Sequence, residues 1–539
     1  MVLETMDHSV PYAEATPAPA VSAQPPAQRT TVTVAKNSLW ILIDSLAGLV
    51  TSFYCSIMVA RSLGPDRMGE YNYVLWFVSV LKMLTDVAIP QTFRKFAAEF
   101  MGRGDYVTLK TMARSVLRLQ MKLVFVGVGI GLVIVHAFFR PDQQNLATLA
   151  VLTLIPSLLI SVPAGVLYGT ENLRHNVLGS VVAMAVNVVG VTVAVILHGG
   201  LLAIVGSLLA SRVVDCVVRF ILFRRQARTM AGEALDRLDP ALRTRLIRFA
   251  ALQLVPTLLY SLLFDRMEVV LLKSLAPTRE IAFFSISFTL AQYMLIPPQT
   301  LATSTSVTMM VKQGRSPAEA AQLAASATWL TILFGAPMLF GVAALSDPLL
   351  RLLYGAKYLP AIPVLMTMSM FALSLAASQS AQHLLVAAER QIPYIVWLLV
   401  CAGLDVAGCF LLIPSHGALG AAYAKGISQL VAAAGFLGFM VWHFRVELPY
   451  VRIMKLLATC TAMFAGVRLI GRYLPSLLAL LVGIPVGVAI FVLLTRILRC
   501  LNNVDRDRLR TLDRIMPARI RGAYLALVSA LAPARAEGG

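Results

Sequence analysis

Residues 38–60 read SLWILIDSLAGLVTSFYCSIMVA, 23 positions with a single charged side chain, Asp44. As a helix this run is about 34 Å long, enough to cross a hydrocarbon core of roughly 30 Å. Residues 71–93, YNYVLWFVSVLKMLTDVAIPQTF, repeat the pattern with Lys82 and Asp86 as their only charges. Working outward, such runs recur as far as Leu494. Candidate spans fall at 38–60, 71–93, 123–139, 146–168, 177–197, 201–223, 249–272, 281–301, 323–345, 362–386, 392–413, 418–442, 456–474 and 477–495. Barrel strands would alternate in polarity, whereas these runs are apolar throughout. The expected fold is an all-α polytopic membrane protein with 14 transmembrane helices.

Composition agrees. The chain is 58% hydrophobic and 14% charged, with a mean hydropathy of +0.77; a soluble domain is nearer a quarter charged. A soluble enzyme is excluded. The six cysteines form no CxxC pair, so neither a metal site nor a disulfide framework is expected, and no motif calls for a cofactor. They read as small buried apolar residues. The first apolar run begins only at residue 38, with no signal-peptide pattern before it. Residues 11–29, rich in Pro, Ala and Gln, read as part of a disordered cytoplasmic tail.

Lys and Arg set the orientation. With the N-terminus in the cytoplasm, 32 of the 46 fall on inner segments and 9 on outer ones, counting Arg468 and Arg472 at the outer end of the thirteenth span, and the other 5 lie deeper inside spans. Both termini and the basic segments 94–122 and 224–248 are therefore expected in the cytoplasm. The net charge of +19 is then a topology signal, and no nucleic-acid partner is expected.

Two corners match. RSLGPDR (Arg61–Arg67) ends the first span and KSLAPTR (Lys273–Arg279) ends the seventh, 212 residues later. Spans one and seven run the same way, so the match implies two parallel six-helix halves. The expected organisation is a tail at 1–37, halves at 38–223 and 249–445, and a basic linker at 224–248. Two further helices at 446–500 and a basic amphipathic tail at 501–539 complete it.

The segment ARSLGPDRMGEYNYVLWFVSVLKMLTDVAIPQTFRKFAAEF (Ala60–Phe100) resembles the first hairpin of the polysaccharide (O-antigen type) flippases. These belong to the multidrug/oligosaccharidyl-lipid/polysaccharide exporter superfamily. DRMEVVLLKSLAPTREIAFFS resembles the family's second corner, with Ala282-Phe283-Phe284 where Gly-x-Tyr is usual; RLLYGAKYLPAIPVL (Arg351–Leu365) resembles its outer loop before helix 10. The resemblance implies a translocase for undecaprenyl-diphosphate-linked oligosaccharide in the bacterial inner membrane, working by alternating access. Its partners would be membrane lipid, the lipid-linked oligosaccharide and glycan-assembly proteins such as a polymerase.

Eleven charged side chains fall inside spans, Arg468 and Arg472 at the outer end of the thirteenth apart: Asp44, Lys82, Asp86, Arg212, Asp215, Arg219, Asp265, Arg266, Glu268, Asp405 and Lys425. Each costs about 2.5–3.5 kcal/mol at a bilayer centre, so most must face the interior. Lys82/Asp86, Arg212/Asp215 and Asp215/Arg219 each share a helical face. Arg219 lies near the cytoplasmic end of its span, where it could snorkel. Arg212, Arg266 and Lys425 are candidates for a diphosphate, which needs charge-assisted donors. Asp44, Asp265 and Asp405 are candidates for a coupling cation or proton. Packing salt bridges are the competing reading for all six.

Prolines inside spans, Pro297-Pro298 above all, predict kinks. Val504, Leu509, Leu512 and Ile515 predict an interfacial basic helix to Pro517, and Asp505-Arg506-Asp507 reads as a charged helix face rather than a metal motif. Two other functions remain open. One is a drug or cation antiporter of the same superfamily; the other is a membrane glycosyltransferase or polymerase, against which the short outer connections speak.

Overall fold

The computed structural model describes residues 31–86, 89–169, 173–264, 267–313, 316–388, 390–502, 505 and 522. Most of the expected N-terminal tail and the helix expected to reach Pro517 fall outside them, as do Asp265 and Arg266.

The first half comprises α1 (Thr31–Asp86), α2 (Ile89–Gly102), α3 (Tyr106–Phe138), α4 (Pro141–Leu152), α5 (Leu154–Leu159), α6 (Ser161–Gly169), α7 (Leu173–Ile196) and α8 (Gly200–Thr229). The second comprises α9 (Pro240–Phe264), α10 (Glu268–Leu275), α11 (Thr278–Gln313), α12 (Pro317–Ala344), α13 (Ser346–Leu353), α14 (Ile362–Ala387) and α15 (Gln391–Phe444). A short 3₁₀ turn, Ala356–Ala361, leads into α14, and a C-terminal hairpin, α16 (Tyr450–Gly471) and α17 (Ser476–Ile497), follows. No strand occurs among the described residues.

Eleven helical segments among the described residues are long and apolar enough to cross a membrane. Two of them, within α1 and α15, each make two crossings, because the chain reverses at Gly64 (φ 74°) and at Gly417 (φ 54°). The fourteen expected spans exceed these eleven partly because α1 and α15 each hold two of them. Only glycine adopts these positive φ values cheaply, and Pro65 prevents the first helix from simply continuing. At the matching corner Ala276 is extended (φ −143°) and needs no glycine.

The helices outrun the apolar spans. α3 begins at Tyr106, where Asp105 accepts from the Thr108 amide at 3.0 Å, and α8 continues to Thr229. The linker after α8 is pinned to α3: Lys110 Nζ donates to the Met230 and Gly232 carbonyls at 2.9 and 2.7 Å. We call this end the basic end, and the end bearing Gly64 and Ala276 the corner end.

The largest buried core is centred on α10–α15 of the second half and takes in Val59, Ala60 and Met68 of α1 from the first. Small residues make it possible: Ala320, Ala321, Ala324, Ala325, Ala327 and Ala336 of α12 are all buried, and in lipid close backbone approach is what drives helix association. α16 packs on α12 and α17 on α13, so the C-terminal hairpin attaches to the second half.

Candidate functional site

Kinking at Gly417 folds α15 back on itself, so that Asp405 on its first arm and Lys425 on its second meet beside the start of α10. There Lys425 Nζ donates to Glu268 Oε1 at 2.6 Å, with side-chain exposures of 4% and 1%. Asp405, itself buried, stands within hydrogen-bond reach of Glu268 and in electrostatic contact with Lys425. Cys409 Sγ points at Asp405 Oδ1 from 4.0 Å. Lys425 lies eight residues beyond Gly417, about 12 Å along the helix, so the cluster is well inside the bundle. When all three groups are ionised they sum to one net negative charge. The cluster can therefore take one further positive charge, a proton or a monovalent cation, which relieves the burial penalty.

Lys425 also lines a small cavity of about 20 Å³ between α11, α14 and α15, with Phe288, Gln292, Phe371, Gly426 and Gln429 on its walls. Its Nζ sits 5.6 Å from the centroid of the Phe288 ring, within cation–π range. A Cβ at Gly426 would fall 2.4 Å from the Phe371 ring; the glycine lets the helices close here. The cavity thus has an apolar body with two amides and one paired ammonium.

In the first half Arg219 is buried, which corrects the expectation that it snorkels. Its helix runs on to Thr229, so the residue is nearly three turns from the end. The guanidinium donates to Asp215 Oδ1 at 2.6 Å, to Ser180 Oγ at 2.5 Å and to Asn176 Oδ1. Gly179 makes room: a Cβ there would lie 2.9 Å from Arg219 Cγ. Asp215 is thereby engaged by Arg219, while Arg212 is exposed. Asp44 is half-buried, and its Oδ1 has no hydrogen-bond partner among the described residues. Lys82 and Asp86 approach to 3.8 Å at a partly exposed position. The structure brings Asp405 and Lys425 together and leaves Arg212 and Asp44 apart from them and from each other; Asp265 and Arg266 lie outside the described residues.

Sequence reasoning left Glu268 out of the candidate site. Its partner is 157 residues away, beyond any helical spacing rule. The available signal was that Lys425 has no carboxylate within a turn of its own helix, so its counter-charge had to come from another. Asp505 was also undervalued. It is 2% exposed and accepts from the Trp329 indole at 3.1 Å and from Arg452 at 2.7 Å, tying the start of the tail to α12 and α16. Among the described residues no three His, Cys, Asp or Glu side chains gather into a metal site.

The profile of a family described as polysaccharide biosynthesis protein matches residues 34–312, just over half of the chain. No curated protein matches it. Among solved structures, the lipid II flippase MurJ in an inward closed conformation is similar at a TM-score of 0.67 and 12% identity, covering 86% of this chain and 98% of that one. An inward-facing multidrug resistance MATE transporter of the MOP superfamily is similar at 0.63 and 16%, covering 77% and 98%. A MOP superfamily transporter from Pyrococcus furiosus, described as having a binding pocket of reverse polarity, is similar at 0.53 and 14%, covering 77% and 96%. These TM-scores establish a shared fold. The drop from 86% to 77% of this chain is about the length of the α16–α17 hairpin.

Proposed function

This chain belongs to the polysaccharide biosynthesis protein family, and from that premise we propose that it is a flippase for a lipid-diphosphate-linked oligosaccharide. It would carry an undecaprenyl-diphosphate-linked glycan across the bacterial inner membrane by alternating access between its two halves, with both termini cytoplasmic. It would make no bond of its own. The family match over residues 34–312 carries the reading. Likeness to a lipid II flippase over 98% of that chain supports it, as do cations held inside an apolar bundle.

Within this reading Arg212 and Arg266 remain the candidates for the diphosphate. We assign Lys425 a different part. With Glu268 and Asp405 facing it, its charge is already balanced, so it belongs with Asp405 to a coupling site for a proton or monovalent cation. Asp44 and Asp265 remain further candidates for that ion. The likeness to a multidrug transporter at a TM-score of 0.63 favours a second reading, a cation-coupled antiporter of small molecules.

One experiment separates them. Purified full-length protein is reconstituted into vesicles with a fluorescent undecaprenyl-diphosphate oligosaccharide, and the protection of its glycan from an external glycosidase is followed. Protein-dependent redistribution supports the flippase. No redistribution, with coupled export of a cationic dye by the same vesicles, establishes the antiporter.

A further inference from the structure

The corner repeat carries Arg61 onto Lys273. The structure gives this bookkeeping a physical meaning. Arg61, at the end of the first crossing, reaches into the second half: Nε donates to the Leu353 carbonyl at 2.8 Å and a terminal nitrogen to the Leu352 carbonyl. Those carbonyls end α13, where unpaired acceptors and the helix dipole favour a cation. Around this contact the Tyr358 hydroxyl donates to the Ala60 carbonyl at 2.9 Å, and the Tyr354 and Ser56 hydroxyls meet at 3.3 Å.

Lys273 makes the reciprocal reach into the first half. Its Nζ lies 5.2 Å from the centre of the Tyr73 ring, and it faces Glu70, Asp142 and Arg140. Thus Arg61 and its repeat mate each reach from their own half into the other. Between the two arms the halves nearly fuse: a Cβ on Gly69 would fall 2.0 Å from the Thr278 carbonyl oxygen.

We propose that Arg61 and Lys273 form a pseudo-twofold clasp that shuts the bundle at the corner end, and that this clasp must release before a cargo can leave there. The two arms are unequal. Arg61 meets carbonyls at a helix terminus, whereas Lys273 meets a ring, with the like charge on Arg140 set against Glu70 and Asp142. The inference rests on the alternating-access part of the proposed function, but it specifies no cargo.

The test is a distance measurement. Spin labels are placed by cysteines at Arg67 and Ala356, both exposed and in different halves, in full-length protein freed of its six native cysteines and reconstituted in nanodiscs. The parent should show mainly the short distance. Arg61→Gln should raise the ratio of long to short distances roughly tenfold, the scale of a charged hydrogen bond; Lys273→Gln should raise it roughly threefold. Arg61→Lys should fall between the parent and Arg61→Gln. Gly69→Leu, which wedges the corners apart, should give the long distance outright. An Arg61→Gln distribution identical to the parent's overturns the clasp, and so does a short distance surviving in Gly69→Leu. If Arg61→Gln does not fold, Tyr358→Phe keeps the ring and loses only the bond to Ala60. It should move the same population in the same direction, and an unmoved population again overturns the proposal. Because no transport is measured, a failed flippase assay leaves this result standing.

Discussion

Lys425→Met should destabilise the protein, and adding Glu268→Gln should rescue it. The pair sits 2.6 Å apart with side-chain exposures of 4% and 1%, so neither charge can find water when the other is removed. Deleting the lysine leaves Glu268 and Asp405 facing each other without a cation, and breaking a buried pair in this way costs about 3–5 kcal/mol. At about 1.4 kcal/mol per decade, the folded-to-unfolded ratio falls by roughly two to three and a half orders of magnitude. Replacing both partners by neutral groups of similar shape is close to neutral, so the double variant should recover most of that loss. The assay is the fraction of detergent-solubilised protein that stays monodisperse after heating, compared across the parent, both single variants and the double. If Lys425→Met and the double variant melt together, the ammonium is not held by Glu268 and the reasoning fails. Transport separates the roles further: the rescued double should fold without responding to a proton or sodium gradient.

Arg219→Met should lose folded protein by about 3–5 kcal/mol, because Asp215 is stranded in the first half; Arg212→Gln, at an exposed site, should insert normally. The two abundances in membranes check this. Asp505→Ala should lower thermal stability by about 1–3 kcal/mol, since the Trp329 indole and Arg452 each lose a buried acceptor, whereas truncation after Asp507 should not; melting of the two variants compares them. Gly417→Ala should cost about 1–2 kcal/mol for its left-handed backbone and more for the approach to Glu280, which lies 2.8 Å from the added Cβ. Expression and melting report it. Cysteine at Arg237 should resist an impermeant maleimide in intact cells, and labelling there overturns the cytoplasmic placement of the basic linker.

How far the sequence could be read depended on how far each feature reaches along the chain. Apolar length is local, so the membrane-crossing helices were legible from runs such as 477–495. Helix ends were not, because hydropathy records the lipid boundary and not the hydrogen-bonded ladder: the span at 201–223 is the inner part of a helix that reaches Thr229. That difference alone turned Arg219 from an apparent terminal residue into a buried one. The corner repeat was legible for the same local reason, down to Gly64, whose φ of 74° demands a glycine. Ala276 departs from the pattern without strain because its corner is extended.

Spacing could say that Asp215 shares a face with both Arg212 and Arg219, but not which of them it holds. The choice was made by another helix, where Gly179 leaves space for the Arg219 stem, and Asn176 and Ser180 accept its remaining donors. The same holds for Lys425, which has no counter-charge on its own helix and takes one from α10. Period and spacing assign a charge to a face; the partner is decided by how closely two backbones can approach. Each half therefore carries a buried ion pair at a place where a glycine or a kink permits close contact. Among the described residues the pair in the second half, unlike that in the first, has a second carboxylate beside it, and that imbalance is the ground for proposing an ion that comes and goes there.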